Sequence, residues 1–284
     1  MSGPAASAVT DAPVQDQRAA VRTELRLSGK TKGQRLEQAL SLFSPILLLV
    51  LWEIIVDVHL LDRRFFPAPS SIVDTFKDLL VSKELLIDVK DTLVRVLVGL
   101  VMGTVPGLLL GAAMGLSAPV RAFFKPMVAA LFPIPKTAIL PLIMLIFGLG
   151  EMSKYVSVAI GVVFLVLINT MAGVINIEQI YLDVGKNFGA NRWQFFRTIA
   201  IPGAMPSIFT GFHISVNVCL LIIVTVEFVG AKTGIGYLIW KSWQTFSIET
   251  LYVGLVTTAF LGFLAQLGLD ALRRVILPWK PEPR

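Results

Sequence analysis

The sequence predicts an all-α integral membrane protein with six transmembrane helices. Of its 284 residues 55% are hydrophobic and 15% charged, well outside the balance of a soluble domain. The apolar residues gather into runs near the ~20 residues that a helix needs to cross a hydrocarbon core of about 30 Å. Lys and Arg cluster beside those runs, as they do where positive charge orients a membrane protein. The net charge of +6 therefore reads as orientation, and no nucleic-acid partner is expected. The single cysteine, Cys219, lies within an apolar run. That excludes a disulfide framework and a cysteine-based metal site.

Residues 1–36 lack any apolar stretch and are rich in Ala, Ser, Thr, Gln and charge, so a disordered tail is expected ahead of a transmembrane domain spanning 37–284. The tail has no short apolar core with a cleavage site, unlike a secretory leader. Within it Gly29-Lys30-Thr31 resembles the end of a phosphate-binding loop, but Glu24 stands where that loop needs glycine. No nucleotide or other cofactor site is expected on this chain.

The first crossing is predicted over Leu42 to Leu60. Glu53 and Asp57 share one face of it, and His59, Arg63 and Arg64 stand nearby as partners for an interfacial charge cluster. In the loop 61–91, Phe66-Pro67-Ala68-Pro69 forces extended backbone, and Ser71 with Asp74 reads as a capping box opening a short helix. Ile72, Val73, Phe76, Leu79 and Leu80 give that helix one apolar stripe, suited either to the membrane surface or to the bundle. Leu93 to Leu116 is the second crossing. Met127 to Leu149 is the third, broken by Pro133, Pro135, Lys136 and Pro141. Val156 to Val174, Ile208 to Val229 and Tyr252 to Leu272 follow. Six crossings put both termini on one side, and Arg18, Arg22, Arg26, Lys30, Lys32 and Arg35 mark it as cytoplasmic.

Between the fourth and fifth crossings, residues 176–202 are too polar to span yet strongly patterned. Ile177, Ile180, Tyr181, Val184 and Phe188 recur on one helical face. Gly189 suits a left-handed helix terminus, and Asn191 suits the N-cap of a second helix carrying Trp193, Phe196 and Ile199, with Pro202 limiting it. Such a pair reads as a docking element or as an amphipathic pair on the cytoplasmic leaflet.

The spacing here resembles the loop motif of ABC importer permeases: Glu-Ala-Ala, three residues, Gly, nine residues, Ile, one residue, Leu-Pro. Asp183, Val184 and Gly185 occupy the first triplet, and Gly189, Ile199 and Pro202 keep their places, with Ile201 standing for Leu. The string Gly189-Ala190-Asn191-Arg192-Trp193 adds to it. Leu51-Trp52-Glu53, Phe66-Pro67-Ala68-Pro69-Ser70, Pro133-Ile134-Pro135, Phe147-Gly148-Leu149-Gly150-Glu151 and Gly234-Ile235-Gly236-Tyr237-Leu238-Ile239 resemble the nitrate, sulfonate, taurine and bicarbonate branch. The resemblance implies a type I importer permease of the bacterial inner membrane, with both termini cytoplasmic and the loop as a coupling helix pair. It also implies two ATPase subunits that bind the ATP and Mg, a second permease subunit, taken here as an identical copy, and an extracytoplasmic substrate-binding protein. Trp193 and Phe196 would be anchors in the ATPase groove. The chain itself would be no enzyme.

An ionisable group within a span is costly and draws functional attention. His213, Asn217, Thr225 and Glu227 in the fifth crossing are candidates to line a solute path, against the simpler reading that they bond between helices. The alternative class is a secondary transporter driven by an ion gradient, which needs mid-membrane ion sites and usually internal repeats. No repeat is evident. Two isolated histidines do not make a metal-dependent membrane enzyme.

Overall fold

The computed structural model describes residues 32–278. Among them are α1 (Lys32–Asp57), α2 (Pro69–Val81), α3 (Glu84–Leu116), α4 (Ala118–Leu131), a 3₁₀ turn (Lys136–Ile139), α5 (Leu140–Phe147), α6 (Glu151–Ile175), α7 (Gln179–Asn187), α8 (Arg192–Phe195), a π turn (Phe196–Ala200), α9 (Ile201–Gly230), α10 (Ile235–Gln244) and α11 (Ile248–Ile276). The described residues contain no strand. The tail expected to be disordered lies, through residue 31, outside the described residues, and α1 already begins at Lys32. Four described helical segments are long and apolar enough to cross a bilayer: α3, α6, the continuous run Trp193–Gly230, and α11. The pair α4 and 3₁₀–α5, bent by 85°, makes a fifth if it is one broken span.

The chain divides into two compact units, Met1–Arg63 and Arg64–Arg284. The first holds α1, whose apolar side chains such as Leu47 and Leu48 are exposed as on a lipid-facing helix. Within it Arg63 Nη2 donates to Asp57 Oδ1 at 2.7 Å, the interfacial pairing expected there.

The second unit is organised by α6, packed between α3 and α9. Gly99, Gly103, Gly107, Gly111 and Gly115 recur every fourth residue on α3, and each meets α6 where a Cβ would collide. At Gly103 it would lie 2.6 Å from the Ala159 carbonyl oxygen and 2.8 Å from Val162 Cβ; at Gly111 it would lie 2.6 Å from the Leu167 oxygen. Small residues let two helices approach closely in a medium where lipid tails are as apolar as the side chains, so van der Waals contact carries the packing. Val158, Val162 and Val166 fill the other side of the seam and are fully buried. On the far face of α6, Gly173 receives Ala204 and Ser207 of α9.

Two local expectations change, and one open alternative is decided. The N-cap of α2 is Ala68, with Pro69 in the first turn, and Ser71 Oγ donates to the Ala68 carbonyl at 2.8 Å. Proline sets the helical φ one turn earlier than the supposed capping box, and Asp74 pairs with Lys77. The stripe of α2 packs on α11 and α3, with Ile72 buried and Val73 left exposed. Helix α3 starts nine residues before Leu93, because Leu85, Asp88 and Thr92 are buried within the chain and need no apolar solvent.

Candidate functional site

The segment between α6 and α9 folds as two short helices joined by a tight corner. Gly189 has φ +67°, and the Ala190 N–H donates to the Gly185 carbonyl at 3.0 Å while Phe188 N–H bonds Val184. This is the terminus that glycine permits by adopting left-handed backbone. At the second helix the Gln194 N–H donates to Asn191 Oδ1 at 2.8 Å, and the Asn191 N–H donates to Gln194 Oε1 at 2.9 Å. That reciprocal box satisfies donors the helix start leaves open. Arg192 opens α8, its side chain outside the described atoms. Gly185 is buried because Ile199 and Phe195 press onto it, with Ile199 Cδ1 where a Cβ would stand. Ile199 and Pro202 also line a cleft of about 430 Å³ with Ile177 and Tyr181. Asp183 Oδ1 accepts from Gln179.

Pro202 does not end the second helix. The π turn Phe196–Ala200 widens the backbone ahead of it, giving room to a proline ring that collides with the carbonyl four residues back in a regular helix. The run from Trp193 to Gly230 is therefore one rod.

Most of the exposed apolar surface of the segment lies on α7 and the corner, and Trp193 of α8 is 66% exposed beside it. Ile180, Tyr181 and Val184 are exposed, and Phe188 is 87% exposed at the corner. Trp193 and Phe196 stack at 5.7 Å between centroids. They line an apolar groove of about 530 Å³ with Leu108, Leu109, Ala112 and Leu116 of α3 and Met205 of α9.

At the opposite end of α6 lies a cluster that the sequence does not announce. Arg95 engages Glu151 through Nε (2.7 Å) and Nη2 (2.9 Å), and Glu227 through Nη1 (2.8 Å). Nη1 and Nη2 also donate to the Thr233 carbonyl and hydroxyl. All five guanidinium protons are thus placed. Glu227, fully buried, further accepts from Thr92 Oγ1 and the Gly236 N–H. Asp88 accepts from the Gly234 N–H at 2.7 Å, and Lys154 pairs with Glu151. The cluster ties α3, α6 and α9 to the start of α10. Gly234 (φ +116°) closes it, since a Cβ there would meet the Glu227 carboxyl and Arg95.

The four polar candidates of the fifth crossing are not brought together. Glu227 is sealed in the cluster. His213 borders a cleft with Thr210 and Arg273. Asn217 Oδ1 accepts from Gln266 Nε2 of α11, and Thr225 Oγ1 donates to the Leu221 carbonyl of its own helix. Arg95 was legible only as a charge inside an apolar run, and its partners lie 56 and 132 positions away.

A family model described as the binding-protein-dependent transport system inner membrane component matches residues 103–279. The chain belongs to this family. Among relatives, this inner membrane component is 29% identical to the taurine transport system permease protein TauC of Escherichia coli, covering 86% of this chain and 90% of that one. It is 30% identical to the putative aliphatic sulfonates transport permease protein SsuC of the same organism (84% and 91%). It is 28% identical to the nitrate import permease protein NrtB of Leptolyngbya laminosa (84% and 89%). The fold is shared with the MetNI methionine ABC transporter in inward-facing conformations, with a TM-score of 0.61, 20% identity, and coverage of 69% of this chain and 97% of that chain.

Proposed function

We propose that the chain is the transmembrane permease subunit of an ATP-driven, binding-protein-dependent importer. Its solute is small and carries an anionic group, as a sulfonate, taurine, nitrate or bicarbonate does, and it moves by alternating access. The named relatives support this reading over an ion-gradient carrier, and the charge balance of Arg95 with Glu227 removes one site such a carrier would need. Both termini face the cytoplasm of a bacterial inner membrane. Two ATPase subunits, carrying ATP and Mg, dock below, a second copy of the chain faces this one, and a binding protein delivers solute from outside.

The observation that carries the mechanism is the continuity of the rod. The capped corner presents Ile180, Tyr181, Val184 and Phe188 outward, and α8 leads without interruption into α9, a run of 38 residues, roughly 57 Å at helical rise. The far end of that rod inserts Glu227 into the outer charge cluster. A push on the docking corner thus reaches the opposite end of the bundle as a rigid-body motion, and a floppy loop would not transmit it.

The test is mild-detergent recovery of the tagged chain with its partners. Stoichiometric recovery of an ATPase, reduced by Gly189→Val, supports the reading. Recovery of the chain alone from membranes that transport without ATP sinks it.

A further inference from the structure

Lys136 stands at the break of the third crossing, and its surroundings fix its depth. The ammonium donates to the carbonyl oxygens of Leu131 (3.0 Å), Phe132 (2.9 Å) and Ile134 (2.9 Å), where α4 ends; the Leu131 oxygen also takes the Ile134 N–H. It lies 4.7 Å from the centroid of the Phe164 ring and 5.8 Å from that of Phe132. Phe164 is 13 positions after Glu151 and 11 before Ile175, hence about 20 Å and about 17 Å from the two ends of α6 at helical rise. In a hydrocarbon core of about 30 Å that is close to the middle.

Lys136 differs there from Arg95 and Lys154, which sit at the outer end of the bundle and are paired with Glu227 and Glu151. Among the described residues no carboxylate pairs with Lys136. Three carbonyl dipoles hold the ammonium in place without cancelling its charge. The residues beside it, Pro133, Ile134, Pro135, Thr137 and Ala138, are exposed on this chain, and the 3₁₀ turn packs on both α6 and α9. A lone cation at mid-depth is disfavoured against lipid and is at home beside water or a polar passenger.

We propose that Lys136 is the charge-selecting residue of the translocation path, a fixed cation at the span's break that draws a small oxyanion to mid-membrane and disfavours cations. This rests on the importer reading and names the residue that sets the sign of its cargo. The carbonyl ring gives the position and the ammonium gives the field. A neutral donor of similar length would therefore keep the local fold and lose the selection.

The experiment uses the full chain purified with its ATPase partner in nanodiscs. A polarity-sensitive dye is placed on Thr137→Cys in a Cys219→Ser background, and quenching by iodide, caesium and uncharged acrylamide is measured. With Lys136 present, iodide quenching exceeds caesium quenching when each is taken relative to the same dye free in solution. Lys136→Gln lowers the iodide-to-acrylamide ratio by about fivefold, and Lys136→Arg holds it within about twofold. An unchanged ratio in Lys136→Gln assigns the lysine to capping α4 alone and overturns the proposal. So does caesium quenching equal to iodide with the native lysine, a comparison that needs no variant at 136. A dye that no quencher reaches puts the break against lipid and also overturns it. Failure to recover an ATPase removes the importer reading, and the same ratios are then read on the full chain alone in nanodiscs, so the two failures are distinguishable.

Discussion

Arg95 and Glu227 illustrate what a single buried charge commits a membrane protein to. Each is nearly or wholly inaccessible, so removing Arg95 leaves Glu227 without a compensating charge in a medium that cannot solvate it, while Glu151 keeps Lys154. Arg95→Met is expected to cost about 3–5 kcal/mol, and the double variant Arg95→Met with Glu227→Met to recover most of it, because two apolar side chains leave no orphan charge. Thermal aggregation midpoints in detergent would check this, and a double variant no better than the single would contradict it. At the corner, Gly189 has open space around it, so its requirement is backbone alone. Gly189→Val is expected to cost about 1–2 kcal/mol through positive φ. Gly189→Asn, which tolerates that region, should retain ATPase binding where the valine variant loses it.

Among the elements, the α3–α6 seam depends on the absence of Cβ atoms. Gly103→Ala is expected to destabilise by about 1–3 kcal/mol through overpacking, whereas Gly268→Ala on α11, with nothing within 4 Å, should leave the melting midpoint no lower, since alanine is the better helix former. Similar shifts for both would mean that the seam is looser than its contacts indicate. The corner between α7 and α8 was readable from the sequence because its determinants are local: a glycine at positive φ, and an Asn with a Gln three residues on. The length of the second helix was not. Proline is a helix stop by local rules, and only the π turn before Pro202 makes it part of a rod. The glycine stripe was present as a four-residue period, but period alone does not say which helix it faces.

Across the whole molecule, the apolar runs located the spans because lipid imposes length and composition together, and the broken span at 132–135 followed from its prolines. The charge cluster stayed hidden because its members come from four helices far apart in sequence. Family membership was legible in the loop spacing, but how the loop's aromatic side chains divide between groove and surface was not. Trp193 and Phe196 suggested anchors by residue type; both line a groove with α3 and α9, Trp193 staying 66% exposed there, and the corner after α7 presents Phe188, more exposed still. Phe188→Ala is therefore expected to weaken ATPase retention at least about tenfold, as a central aromatic anchor does. Trp193→Ala together with Phe196→Ala should weaken it less, read by co-purification at matched expression.

The most direct measurement of docking is site-specific cross-linking in native membranes. Single cysteines would replace Phe188 or Trp193 in a Cys219→Ser background, where the one natural thiol is buried and removed. Cross-linking of the ATPase subunit from position 188, stronger than from position 193, is the expected result. No cross-link to an ATPase from position 188, in cells whose importer is active, would contradict docking through this corner.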